Sequence, residues 1–295
     1  MSSRTLERIV QGQATSDGDG VKLTRVLTQD LQRRLDPFLM LDAFRNDNPD
    51  DYMGGFPDHP HRGFETVTYM LNGRMRHQDS AGNAGLLQGG GAQWMTAGRG
   101  LVHSEMPEQE NGLMEGFQLW VNLPGKDKMM APIYRDLVPE QIPQWTLANG
   151  VTIRGIAGRL SVKNSVGEGS EPQSFEAAVQ RPATAPIYFD IHFAQAGEIT
   201  LNLPTEHNAF IYTSRGEISV GEAQASKPVG DTRMGILSNS GDGTVRLSSK
   251  TASKCILIAG KPLNEPIAQY GPFVMNTREE LMQAFEDYQA GRIRN

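Results

Sequence analysis

From Asp51 onward, turn signals cut the chain into short apolar runs, only ~8–12 residues apart, the spacing of a β-sandwich or closed barrel rather than of alternating strands and helices. FETVTYML (64–71) ends at Asn72-Gly73, a hairpin dipeptide, and LLQGGGAQWMTAGRG, LVHSEMP and GFQLWVNLP (116–124) follow. After residue 150 the texture resumes with VTIRGIAGRL, PIYFDIHF (186–193), GEITLNLP, NAFIYTSRGEISVG, MGILSN, GTVRLSS and KCILIAG. Glycine, 32 of 295 residues, exceeds the ~7% average, as a turn-rich chain requires. Upstream, VKLTRVL (21–27) has the pattern of a strand, and Pro37 prevents QDLQRRLDPFLMLDAF from being one long helix. The proline-bearing stretch 126–150 reads as a connection, and the polar stretch 161–174 as an exposed loop. One helix is expected, in NTREELMQAFEDYQAGRI. Thr277 and Glu280 form a capping box, Leu281, Phe285 and Tyr288 share a face, and Gly291 closes the end. The expectation is two β domains with a terminal helix.

Composition narrows the chemistry. With 28 basic and 34 acidic side chains the net charge is −6, and no basic run is present, which argues against direct nucleic-acid binding. No apolar stretch approaches the ~20 residues of a membrane span, and MSSRTLERIV lacks the apolar core of a secretory signal. A cytoplasmic protein is expected. The single cysteine, Cys255, excludes an intramolecular disulfide and any cysteine-built metal site, and in KCILIAG it reads as a core residue. Any metal must therefore be held by carboxylates and the six histidines.

Three of those histidines fall in two clusters, His59-Pro-His61 and His103 in GRGLVHSE. Residues at i and i+2 on a strand share a face. His59 and His61 can then meet at one ion, and His103 with Glu105 forms a second such pair. Glu65 has the same parity as His61. Three imidazoles and a carboxylate with positions left open suit Fe(II), Mn, Ni, Cu or Zn in a catalytic site. A lone His-x-His arises by chance, but two clusters among glycine-rich turns are a stronger signal.

HPHRGFETVTYMLNG and GGGAQWMTAGRGLVHSE resemble the two motifs of a cupin barrel. With PFLMLDAF, GFQLWVNLP and the closing YGPFVMNTREEL, they resemble the pirin family of bicupins from about residue 20 to the C-terminus. The general cupin pattern is broken at Met53, where glycine is usual, at Gly98, where proline is usual, and at Pro107, where asparagine is frequent. The resemblance implies an all-β fold of two cupin barrels (double-stranded β-helix, jelly-roll) face to face, with a short C-terminal helix. It divides the chain into an N-terminal barrel with the metal (1–140), a C-terminal barrel without a metal motif (141–272) and a helix packing back on the barrels (273–295). The pirin pattern makes His59, His61, His103 and Glu105 the metal ligands. Glu65, the carboxylate of the general pattern, becomes an outer residue or the competing ligand. His77, His192 and His207 receive no role, although Asp190 and His192 share parity.

The implied activity is a metal-dependent quercetin 2,3-dioxygenase: a flavonol and O2 are the substrates, carbon monoxide is lost, and Glu105 is the base. One divalent transition metal is implied, Fe(II) first, with Mn, Ni, Cu, Co or Zn as alternatives. Phe56, Trp94, Met95, Phe117 and Trp120 lie near the motifs and offer walls for a flat aromatic substrate, although ordinary core packing is the better account for most of them. Two alternatives accompany this activity: an iron-dependent regulator that binds a transcription factor or metabolic enzyme, and a cupin isomerase. For a regulator, Arg62, Arg74, Arg76, Lys126 and Lys128 are the candidate positive patch, although exposed charges on ordinary turns are the simpler account. No membrane partner is expected, and the chain is expected to be monomeric.

Overall fold

A computed structural model describes residues 3–164 and 172–294. The core of the expected loop at 161–174 therefore lies outside the described residues. The strands Arg159–Asn164 and Gln173–Glu176 flank it. The described chain is mostly β, and it divides into two compact units.

One unit comprises 13–140 and 263–295. Its larger sheet has the spatial order Ile133–Leu137, Ala92–Thr96, Phe64–Asn72, Met114–Asn122, Phe38–Asn46, Val21–Leu27, Gln13–Asp17. Its smaller sheet runs Phe56–His61, Leu101–Pro107, Arg74–Asp79, Ala84–Gln88. Two expectations change here. Phe64–Asn72 ends where the dipeptide Asn72-Gly73 predicts, but Arg74–Asp79 pairs in the smaller sheet, so the turn carries the chain between sheets instead of closing a hairpin. Within the proline-bearing stretch, Ile133–Leu137 is an edge strand on Ala92–Thr96. An edge tolerates the neighbouring prolines because half its backbone donors need no partner.

The other unit comprises 1–12 and 141–262. It also has two sheets, one of seven strands centred on Asn208–Arg215 and Ser253–Gly260 and one of six centred on Gly197–Asn202 and Thr244–Ser249. One contiguous apolar cluster, including Ile153, Phe189, Ile199, Ile211, Leu247 and Leu257, draws on both. Cys255 is buried within it, as expected, and burial pushes its thiol pKa up.

These units differ from the boundaries 1–140 and 141–272 at both ends of the chain. Leu6–Gln11 pairs with Arg233–Leu237, and the buried Arg4 donates to the carbonyls of Pro204, Thr205 and His207 at 2.7, 3.0 and 2.8 Å. The C-terminal segment belongs to the unit of the His-x-His motif. There the Asn264 N–H donates to Asp36 at 2.7 Å, and Arg62 pairs with Asp287 at 2.7 Å. The helix Arg278–Gln289 has its capping box, with Thr277 and Glu280 bonded reciprocally, and Gly291 follows at φ 71. Leu281, Ala284 and Phe285 pack on Val102 and Phe273. Val102 precedes His103 and faces the opposite way, so the helix covers the outer face of the strand that carries His103.

Candidate metal centre

The smaller sheet of the first unit supplies the histidines. Antiparallel register sets His59 opposite His103 and His61 opposite Leu101. Beyond His103 the register shifts, so that Pro57 and Asp58 stand against Ser104 alone, a bulge that re-aims the side chains beside it. Ring centroids lie 4.4 Å apart for His59 and His103, 4.7 Å for His59 and His61, and 5.0 Å for His61 and His103. One ligand atom from each lies within 4.8 Å of the others, a group that could hold a metal ion.

The donors suit that task. His59 donates from Nδ1 to the Pro57 carbonyl at 2.8 Å, which leaves its Nε2 with a free lone pair. His103 is buried with neither ring nitrogen hydrogen-bonded, and His61 is buried with Nδ1 unbonded. Unpaired buried nitrogens are costly unless something else engages them, and a cation would. Burial, with the neighbouring histidines adding to it, pushes the imidazoles of His61 and His103 well below the usual histidine range. Both are thus neutral donors, the form a metal requires.

The two candidate carboxylates are held apart from this trio. Glu105, buried on the face of His103, accepts from Thr68 Oγ1 at 3.2 Å and from Gln118 Nε2 at 3.0 Å. Glu65, on the larger sheet, accepts from Thr96 Oγ1 at 2.6 Å. Neither belongs to the 4.8 Å group. Glu105 is bound to two residues that line a cavity with His59 and His61, whereas Glu65 and Thr96 are not part of that lining.

That cavity measures about 380 Å³, within the usual range of ligand pockets. Met40, Phe44, Phe56, Met75 and Trp120 form its apolar wall. Of the wall side chains expected there, Phe56 and Trp120 line it, while Trp94, Met95 and Phe117 are buried away from it as core. The Trp120 ring stands edge-on to His61, with centroids 5.3 Å apart. Of the five candidates for a positive patch, Arg62 and Lys128 are buried, while Arg74, Arg76 and Lys126 are exposed. Lys128 Nζ donates to the Gly63 carbonyl, Asn122 Oδ1 and the Val274 carbonyl at 2.8, 2.7 and 3.0 Å. Gly98 explains one departure from the general cupin pattern: its φ of 52 is closed to proline.

Three side chains around the site escape motif reading: Thr68, Gln118 and Asp136. His77 is buried on the strand beside Glu105, donates from Nε2 to Asp136 at 2.8 Å and stacks on Tyr134. A Cβ on Gly85, opposite His77, would intrude on that contact. In the second unit, His192 Nε2 donates to Asp190 at 2.8 Å and burial lowers the His207 pKa. Among the described residues no further group of three such ligands occurs.

Similarity to known proteins runs the length of the chain. The profile of the family Pirin matches residues 20–121, and that of the Pirin C-terminal cupin domain matches 188–294. A Pseudomonas aeruginosa protein, named provisionally as a quercetin 2,3-dioxygenase, is 50% identical over 95% of this chain and 94% of its own length. A pirin-like protein of Caulobacter vibrioides is 46% identical over 99% of this chain and 100% of its own length. The crystal structure of quercetin 2,3-dioxygenase from Acinetobacter baumannii superposes with a TM-score of 0.86 at 31% identity, covering 99% of each chain. The two β units are therefore cupin domains, and the chain belongs to the pirin family.

Proposed function

We propose that this chain is a metal-dependent dioxygenase of the quercetinase type, which opens a flavonol with O2. The observation that carries the reading is a trio of converging imidazoles, two of them buried with unpaired ring nitrogens, beside an apolar-walled cavity. The names of the P. aeruginosa and A. baumannii relatives support the substrate class. His59, His61, His103 and Glu105 would hold one divalent transition metal, with Fe(II) first among the ions this donor set suits. When bound, such an ion supplies Lewis acidity that lowers the pKa of the flavonol hydroxyl, and open positions for a ligand.

The chain's own residues supply the remaining work. The Pro57 carbonyl fixes the His59 tautomer and ring plane, as outer partners of metal-bound imidazoles do. Phe56 and Trp120 offer flat apolar surface to the rings of a flavonol and keep water from them. Glu105, whose Oε2 is oriented by Gln118, would be the base that takes the flavonol hydroxyl proton. The test is metal analysis of protein purified without added metal, followed by an oxygen electrode with quercetin. About one metal per chain and oxygen uptake with quercetin are expected. No uptake at verified occupancy would overturn the dioxygenase and favour the iron-dependent regulator, whose partner binding would change with oxidation state. Turnover of a substrate without oxygen would favour the isomerase.

A further inference from the structure

The larger sheet of the site-bearing unit carries one polar side chain from each of six successive strands. Cross-strand register makes neighbours of Arg25 and Asp42, Asp42 and Gln118, Gln118 and Thr68, Thr68 and Gln93, and Gln93 and Asp136. Directly opposed residues share a face, so these six form one polar rung across that sheet. A buried polar group without a partner is destabilising, so such a rung persists only where its members are bonded. At one end Arg25 holds Asp42 through two bonds of 3.0 and 2.7 Å, and at the other Gln93 donates to Asp136 at 3.0 Å. The two central members, Gln118 and Thr68, turn to Glu105 on the other sheet.

Hydrogen-bond directions are fixed at this centre. A carboxylate only accepts, so the Thr68 hydroxyl proton points to Glu105 Oε1 and its lone pair receives Gln118 Nε2 at 3.4 Å. Gln118 Nε2 also donates to Glu105 Oε2, and its Oε1 accepts from Trp120 Nε1 at 3.3 Å, which settles the amide orientation. Each Glu105 oxygen thus has one donor and keeps lone-pair capacity for another partner. The same amide fixes the indole that stands against His61.

We propose that Gln118 and Thr68 are positioning residues for Glu105, and that through its carboxylate they set how tightly the site binds a divalent metal. The proposal rests on the reading of Glu105 as the fourth ligand. Outer partners of this kind are typically worth ~10–100-fold in metal affinity. A merely structural role would move stability and leave affinity alone.

The experiment titrates metal-free protein with Mn(II), reading the free ion by electron paramagnetic resonance, and follows thermal unfolding of each metal-free variant as a check on folding. Gln118→Met and Thr68→Val should each weaken Mn(II) binding ~10–100-fold, while Thr68→Ser, which keeps the hydroxyl, restores it. Combined with Glu105→Gln, Gln118→Met should add less than about twofold, because the residue it acts through is already altered. Full multiplication of the two effects, or wild-type affinity in both Gln118→Met and Thr68→Val while Glu105→Gln binds weakly, would overturn the positioning role alone. Wild-type affinity in Glu105→Gln would instead overturn the reading of Glu105 as a ligand, and the proposal with it.

Discussion

The two cupin domains have similar sheets and differently filled interiors. In the second, one large apolar cluster runs from Leu6 through Ile153, Phe189 and Ile211 to Leu257, drawing on both sheets. In the first, apolar side chains gather in separate clusters, one around Phe44, Met70 and Met114, another around Met40, Phe64 and Trp120, a third around Met95 and Leu101. Buried polar groups lie on the same strands: Asp42, Thr68, Gln93, His61, His103 and Glu105. One architecture thus serves two ends. An interior filled with apolar contact contributes stability, whereas a divided one holds polar groups where a ligand can meet them, at a cost that only hydrogen bonding or a bound ion offsets.

The largest expected effect would test the asymmetry directly. The His59→Ala/His103→Ala double variant should lose all bound metal, while Asp190→Ala/His192→Ala in the second domain should keep about one ion per chain; elemental analysis decides. Metal retained in the first variant or lost in the second would break the comparison. Next comes the packed core. Leu257→Ala should cost ~2–5 kcal/mol of stability in urea titrations, as truncation inside a close-packed cluster does, with metal content unchanged. A cost under about 1 kcal/mol would show that the second interior is no better packed than the first.

A smaller effect concerns the buried ammonium of the first domain. Burial pulls Lys128 down to about 7, against the pull of Glu265 and Glu280, from ~10.4 in an unfolded chain. Between those values the unfolded chain binds the extra proton, so stability rises with pH across that window. Urea midpoints should climb from about pH 7 toward pH 10, and Lys128→Met should flatten the climb. An unchanged slope in the variant would assign it to other groups.

Much of this was legible from particular residues. His59, His61 and His103 announce themselves because alternation along a strand is local, and the Thr277–Glu280 capping box is written in four consecutive residues. Asn72-Gly73 marks the end of a strand for the same local reason, yet it does not tell whether the chain turns back or crosses to another sheet. Leu6–Gln11 gives no hint of its partner Arg233–Leu237, more than two hundred positions away. Arg62 and Lys128 look like surface charge in sequence and are buried, because the oxygens that receive them come from distant segments.

By itself the sequence determined the β texture, the terminal helix, the unequal division of histidines between the halves and the family. Each of these depends on short-range spacing or on wording preserved along the chain. Tertiary structure alone decided that the C-terminal helix belongs with the first domain, that Glu105 is held by Gln118 and Thr68 while Glu65 is held by Thr96, and that six separated polar residues form one rung. Those are matters of cross-strand register. Register is set by how whole sheets pair, and no window of neighbouring residues contains it.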